Sequence, residues 1–208
     1  MPKKIKRSVV SGITPVDTYD SLSIKRINTL HPQLRDSAMR VFNRARSGGI
    51  PLYIMWGTRS IGDQQVLYRY GRDLPGKIIT TNRPGYSAHN YGLALDFCLY
   101  WNKALFTWED VYERWYWRQR WLKVVFMFEE EGWETGWRWT NFEPYHVQNL
   151  MGNTMLDLVR KYEQVKDRNN WLEALREQDK NQGIHLQSPE ATRGGDRDSE
   201  LGWPIWCR

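Results

Sequence analysis

The sequence predicts an α+β fold. Segments of helical period and segments of alternating period are mixed along it, without the regular strand-helix alternation that a parallel sheet requires. The most strand-like segment, Leu93 to Leu99, alternates Leu93, Leu95, Phe97 and Leu99 with Ala94, Asp96 and Cys98, so one face of a strand carries a carboxylate. A length of 208 residues suits one domain with a modest appendage. The divisions are an N-terminal arm over 1–20, a domain over 21–178 and a polar C-terminal tail over 179–208.

Pro32 opens the first clear helix, since proline suits the first helical position. Leu34, Ala38, Val41, Phe42 and Ala45 share one face, and Gly48-Gly49 ends it. Leu52, Ile54 and Trp56 alternate as in a strand. Arg59 to Tyr70 reads as helix, with Gly71 at its end, and Lys77 to Thr81 is β-branched enough for a short strand. Asn82-Arg83-Pro84-Gly85 has turn composition. Thr107, with Asp110 three residues on, caps a helix whose stripe is Val111, Trp115, Leu122, Val125 and Phe126 and which Gly132 closes. A further helix carries Leu158, Tyr162 and Val165, and beyond about residue 180 the composition is that of a flexible tail.

Thirty Lys and Arg stand against 24 Asp and Glu, a net charge of +6. That excess suits nucleic acid, anionic membrane surfaces or the acidic polymers of a bacterial wall, and charge alone does not choose among them. No nucleic-acid-binding motif is present. Nothing approaches a membrane-spanning length of apolar residues. The basic start, Lys3, Lys4, Lys6 and Arg7, is followed by Ser11, Gly12, Thr14, Pro15 and Asp17 rather than an apolar run. Synthesis in the cytoplasm without a signal peptide is therefore expected. Cys98 and Cys207 form no C-x-x-C pair; Cys98 reads as a small core residue.

Of four histidines, His31 reads as a helix-entry residue and His185 lies in the tail. His89 and His146 keep unusual company. Asp96 lies in an apolar stretch and needs a partner, because burying an isolated charge is costly. His89 is seven residues earlier, which on a straight strand faces the other way; Gly92 breaks that parity and puts His89 on the loop entering the strand. His146 ends Glu143-Pro144-Tyr145-His146. His89, Asp96 and His146 make an open three-ligand set for a metal, with Glu143 placed as a base. The residues alone leave a second reading open, in which each histidine is satisfied locally and Asp96 pairs with an arginine.

Ser87-x-His89-x-x-Gly92-x-Ala94-x-Asp96 resembles the first signature of the lysostaphin, D-alanyl-D-alanine peptidase and hedgehog superfamily of zinc proteins. Glu143-x-x-His146 resembles the second, and Gly57-Thr58-Arg59-Ser60 with Gln64, Leu67, Tyr68, Gly71 and Arg72 resembles the stretch upstream of them. Leu30-His31-Pro32-x-Leu34 is similar to the opening helix of phage L-alanyl-D-glutamate endopeptidases and their bacterial relatives. The resemblance implies a small, mainly antiparallel sheet carrying one zinc ion held by His89, Asp96 and His146. It implies Glu143 as catalytic base and Arg59 at the oxyanion or a substrate carboxylate. Ser87 is expected to bind substrate or cap a turn, and Gln64 to bind substrate, support the site or lie on a helix surface. The substrate implied is a peptidoglycan stem peptide, cut at L-alanyl-D-glutamate. Glu143-Pro144-Tyr145-His146 leans instead to the D-alanyl-D-alanine carboxypeptidases, and a non-catalytic zinc module of the hedgehog kind is the remaining alternative. A monomer acting on the bacterial wall, after release through a phage holin, without nucleic acid or membrane insertion, completes the expectation.

Overall fold

The computed structural model describes residues 18–164. The expected tail, the boundary at 178, Val165, His185 and Cys207 lie outside those residues. A helix α1 (Thr18–Ile27) begins inside the expected arm and precedes α2 (Pro32–Ser47), which Pro32 opens as predicted. The predicted face of α2, Leu34, Ala38, Val41, Phe42 and Ala45, is buried. Strand β1 (Leu52–Trp56) follows, then α3 (Ile61–Arg69), capped by the Ser60 hydroxyl accepting the Asp63 amide at 3.0 Å.

Lys77 to Thr81 forms no strand. Lys77, Ile78 and Thr81 are exposed and no neighbouring strand pairs with the segment, so β-branched composition had nothing to act on. The predicted turn is present one residue later, with the Tyr86 amide donating to Arg83 O at 2.9 Å around Pro84 and Gly85, whose φ is 83°.

The sheet is antiparallel throughout. Its central strand β2 (Ala94–Trp101) pairs with β1 on one edge. Two short strands, β3 (Ala104–Phe106) and β5 (His146–Gln148), share the other edge: Leu99 pairs with both Leu52 and Phe106, and Asp96 with both Trp56 and His146. The two-residue β4 (Glu134–Thr135) pairs with β5 outside it. Both faces of β2 are buried over Ala94–Leu99, and Cys98 sits in the core with its thiol pKa pushed up by burial.

One helix was expected between Thr107 and Gly132; there are two, α4 (Trp108–Val111) and α5 (Trp115–Glu130). Thr107 and Asp110 form the expected capping box on α4. The break turns α5 so that Trp121, Val124, Val125 and Phe128 face the core, while Trp115 is 68% and Phe126 44% exposed. A last helix, α6 (Met155–Gln164), presents Leu158 to the core. No helix among the described residues is long and apolar enough to cross a membrane.

Candidate metal centre

Asp96 and His146 stand directly opposite one another in the β2–β5 register. Directly opposed side chains on one face of a sheet start only about 4.5–5.5 Å apart at Cβ. Asp96 Oδ1 and His146 Nδ1 accordingly meet at 2.9 Å. His89 arrives from a 3₁₀ turn, Ala88–Tyr91, that ends at Gly92 with φ 68°. A Cβ at Gly92 would stand 2.7 Å from the His31 nitrogen, so both space and conformation demand glycine. This left-handed step delivers His89 to the face of Asp96, with Nε2 at 3.3 Å from Oδ2. His89, Asp96 and His146 are each buried, and their donor atoms lie within 4.8 Å of one another.

His89 Nδ1 is 2.8 Å from the carbonyl oxygen of Gly57, and so carries the proton in the neutral ring. Burial lowers the His89 pKa, although Asp96 pulls the other way. In that neutral form Nε2 presents a lone pair to the carboxylate oxygen; once protonated it donates to it instead. Two acceptors facing each other inside a protein repel unless a cation lies between them. Burial alone would raise the Asp96 pKa, but the attraction of His89 and the hydrogen bonds of His146 and His89 outweigh it and hold the carboxyl well below the usual range. For His146, burial is outweighed by Asp96, and the pKa is raised. This charged, solvent-excluded group of one carboxylate and two imidazoles is able to hold a metal ion.

Arg59 is bound to the same construction through its backbone, its amide donating to His89 O at 2.9 Å. Its guanidinium stands 4.0 Å from Asp96 Oδ2 and donates to Gln64 Oε1 at 2.9 Å. Gln64 is neither on a helix surface nor open to a ligand: it is fully buried, and its amide nitrogen donates to Asn82 O at 2.9 Å. It ties Arg59 to Asn82, just before the turn at 83–86. Ser87 is buried at the N-terminal side of the 3₁₀ turn and makes no side-chain capping bond, against one of the two expectations for it.

Glu143 is half-buried, with Oε1 accepting from the Asn141 side-chain Nδ2 at 2.9 Å. Burial raises its pKa, His146 lowers it and Asp96 adds to the rise, so the carboxyl shares the field of the cluster. Its segment is clamped to α5 by the buried Trp121 indole, which donates to Pro144 O at 3.0 Å.

Three neighbours were not found from the sequence. Trp139 lies with its ring 5.2 Å from that of His146, and Gln148 Oε1 is 3.3 Å from His146 Nε2. Gln148 is two residues beyond His146 on β5, and strand periodicity would have found it had the strand been recognised. Gly57 contributes a carbonyl, which no side-chain pattern reveals.

The family model described as D-alanyl-D-alanine carboxypeptidase matches residues 81–149. The peptidoglycan L-alanyl-D-glutamate endopeptidase CwlK of Bacillus subtilis is 37% identical over 125 residues, 60% of this chain and 75% of that protein. Among solved structures, the L-Ala D-Glu endopeptidase ChiX of Serratia marcescens is 25% identical, with a TM-score of 0.42 over 65% of this chain and 88% of its own. VanYB in complex with D-alanine-D-alanine is 18% identical, with a TM-score of 0.36 over 69% of this chain and 82% of its own.

Proposed function

The chain belongs to the D-alanyl-D-alanine carboxypeptidase family of peptidases, and from that membership we propose that it is a zinc-dependent hydrolase of peptidoglycan stem peptides, cutting the L-alanyl-D-glutamate bond. The observation that carries the reading is the convergence of His89, Asp96 and His146 on one buried point beside Glu143. The donor set fits zinc, which takes imidazole nitrogen and carboxylate oxygen in a tetrahedral shell and, in catalytic sites, three protein ligands. His89 would bind through Nε2, Asp96 through its carboxylate and His146 through Nδ1, the atoms that already face one another. One zinc ion held there supplies a Lewis acid that polarises the scissile carbonyl and makes water acidic enough to lose a proton near neutral pH.

The remaining work falls to the chain's own groups. Glu143 takes the proton from the attacking water and passes it to the leaving amine. Its backbone carbonyl accepts the His146 amide at 3.0 Å, which keeps it beside that residue, and its half-buried side chain suits both transfers. Arg59 offers its guanidinium to the developing negative charge or to a substrate carboxylate, while Gln64 fixes its direction. Ser87, buried two residues before His89, accepts the Asn90 amide at 2.9 Å through its backbone carbonyl and so closes the turn that delivers that ring. The place of action on this reading is the bacterial wall, and the partner its stem peptide.

Removal of the terminal D-alanine is the second reading, favoured by the description of the matching family model. One experiment separates them. Purified protein carrying one equivalent of zinc is incubated with sacculi, and the muropeptides are weighed by mass spectrometry. Products ending at L-alanine support the endopeptidase. Loss of a single alanine from pentapeptides supports the carboxypeptidase. Intact muropeptides with a zinc-loaded protein overturn both.

A further inference from the structure

Gly136 opens a short 3₁₀ turn, Gly136–Arg138, directly after β4. It is buried and is not among the glycines of positive φ, so its freedom of conformation is not what the position uses. Space is. A Cβ built there would stand 2.3 Å from Glu143 O, 2.9 Å from Glu143 Cβ and 3.0 Å from Glu143 C. All three nearest atoms belong to one residue. The Gly136 carbonyl also accepts the Glu143 amide at 3.0 Å, so Glu143 is seated on Gly136 by contact and by hydrogen bond together.

The two sides of that seat do not yield equally. The turn is anchored to α5 through Glu129, which accepts from Thr135 Oγ1 at 2.8 Å and from Arg138 Nε and Nη2, each at 2.9 Å. Downstream, His146 is held in register opposite Asp96, and the Phe97 amide donates to Tyr145 O at 3.0 Å. Between those two fixed points stands Glu143. Crowding at residue 136 therefore falls on Glu143, whose carbonyl also accepts the His146 amide at 3.0 Å, while the His146 ring stays held by Asp96 at 2.9 Å.

We propose that Gly136 is a positioning residue for the Glu143 carboxylate, the turn Gly136–Arg138 acting as its seat and Glu129 as the seat's anchor. The inference rests on Glu143 as the group that moves the proton. A misplacement of about 1 Å at a reacting group costs on the order of a hundredfold in rate. Gly136→Ala is accordingly expected to lower kcat on a soluble stem peptide about ten- to a hundredfold, with KM within about threefold and zinc content at the parental value. A crystal structure of the variant should show the Glu143 backbone displaced while His89, Asp96 and His146 superimpose.

A double-mutant cycle separates this from a general loss of structure. In the Glu143→Gln background, Gly136→Ala should cost little more, because the group it displaces has already lost its function. Equal losses in both backgrounds, or parental kcat in the single variant, overturn the proposal. Parental turnover by Glu143→Gln alone overturns the reading of Glu143 instead, and is distinguishable from either. Should Gly136→Ala fail to fold, Arg138→Ala removes the exposed half of the anchor. It is expected to lower kcat several-fold with zinc and KM unchanged, and an unaltered kcat there counts against the seat.

Discussion

Replacing Gln64 by leucine would nearly keep its volume while removing both hydrogen bonds that join Arg59 to Asn82. The partners left behind are a guanidinium nitrogen and a carbonyl, and an unsatisfied buried group costs about 1–3 kcal/mol. Gln64→Leu should lose stability of that order in urea titration and about tenfold in kcat/KM, with zinc content unchanged. His89→Ala should behave differently, losing zinc and turnover together by elemental analysis and peptide assay, because it removes a proposed ligand. These residues also mark what the sequence could show. Asp96 was legible because a carboxylate among Leu95, Phe97 and Leu99 must find compensation somewhere. Gln64 was legible only in part, left between substrate binding, support of the site and a helix surface, because the group that covers it does not show in the pattern. That group is Arg59, folded back over five residues.

The β2–β3 hairpin was invisible for a reason at the level of its turn. Trp101 pairs with Ala104, leaving Asn102 and Lys103 as a two-residue loop with φ 49° and 63°. Asn-Gly is the usual signal for such a loop, and lysine at the second place hides it. A non-glycine residue in the left-handed region is strained by about 1–2 kcal/mol. Lys103→Gly should therefore raise stability by up to about 1 kcal/mol, after glycine's larger entropy loss is subtracted, as a higher midpoint in urea. Strands β4 and β5, of two and three residues, offer too few alternations to be recognised and exist because β2 supplies their partner. The helices fared better: α2 carries four turns of pattern, whereas the face that α5 turns inward is held by tertiary contacts such as Trp121 Nε1 to Pro144 O. Trp121→Phe should leave that carbonyl unpaired and cost about 1–3 kcal/mol, again by denaturant titration.

Across the whole molecule, the proposed zinc ligands come from a turn and two strands, 57 residues apart at their extremes, 146 less 89. A ligand that binds such a site in the folded chain alone adds stability as RT ln(1 + [L]/Kd), about 2.7 kcal/mol at a hundredfold excess over Kd. Chelation should lower the melting temperature by several degrees, and zinc should restore it in a calorimetric scan. The described residues contain every member of the proposed site, so truncation before Asn181 should leave turnover of a soluble stem peptide nearly unchanged. A large loss there would place part of the active domain beyond that point. The pairing of Asp96 with His146 has one more consequence. The chain runs 50 positions from Asp96 to His146 and comes back to the same spot in the sheet, so this excursion starts and finishes at one place. Within it lies the Asn102-Lys103 tip, which begins six residues after Asp96, beyond the end of β2. A foreign module spliced into that tip would be carried as cargo, its length absorbed before the chain comes back, and the two halves of the chemistry would still close on each other.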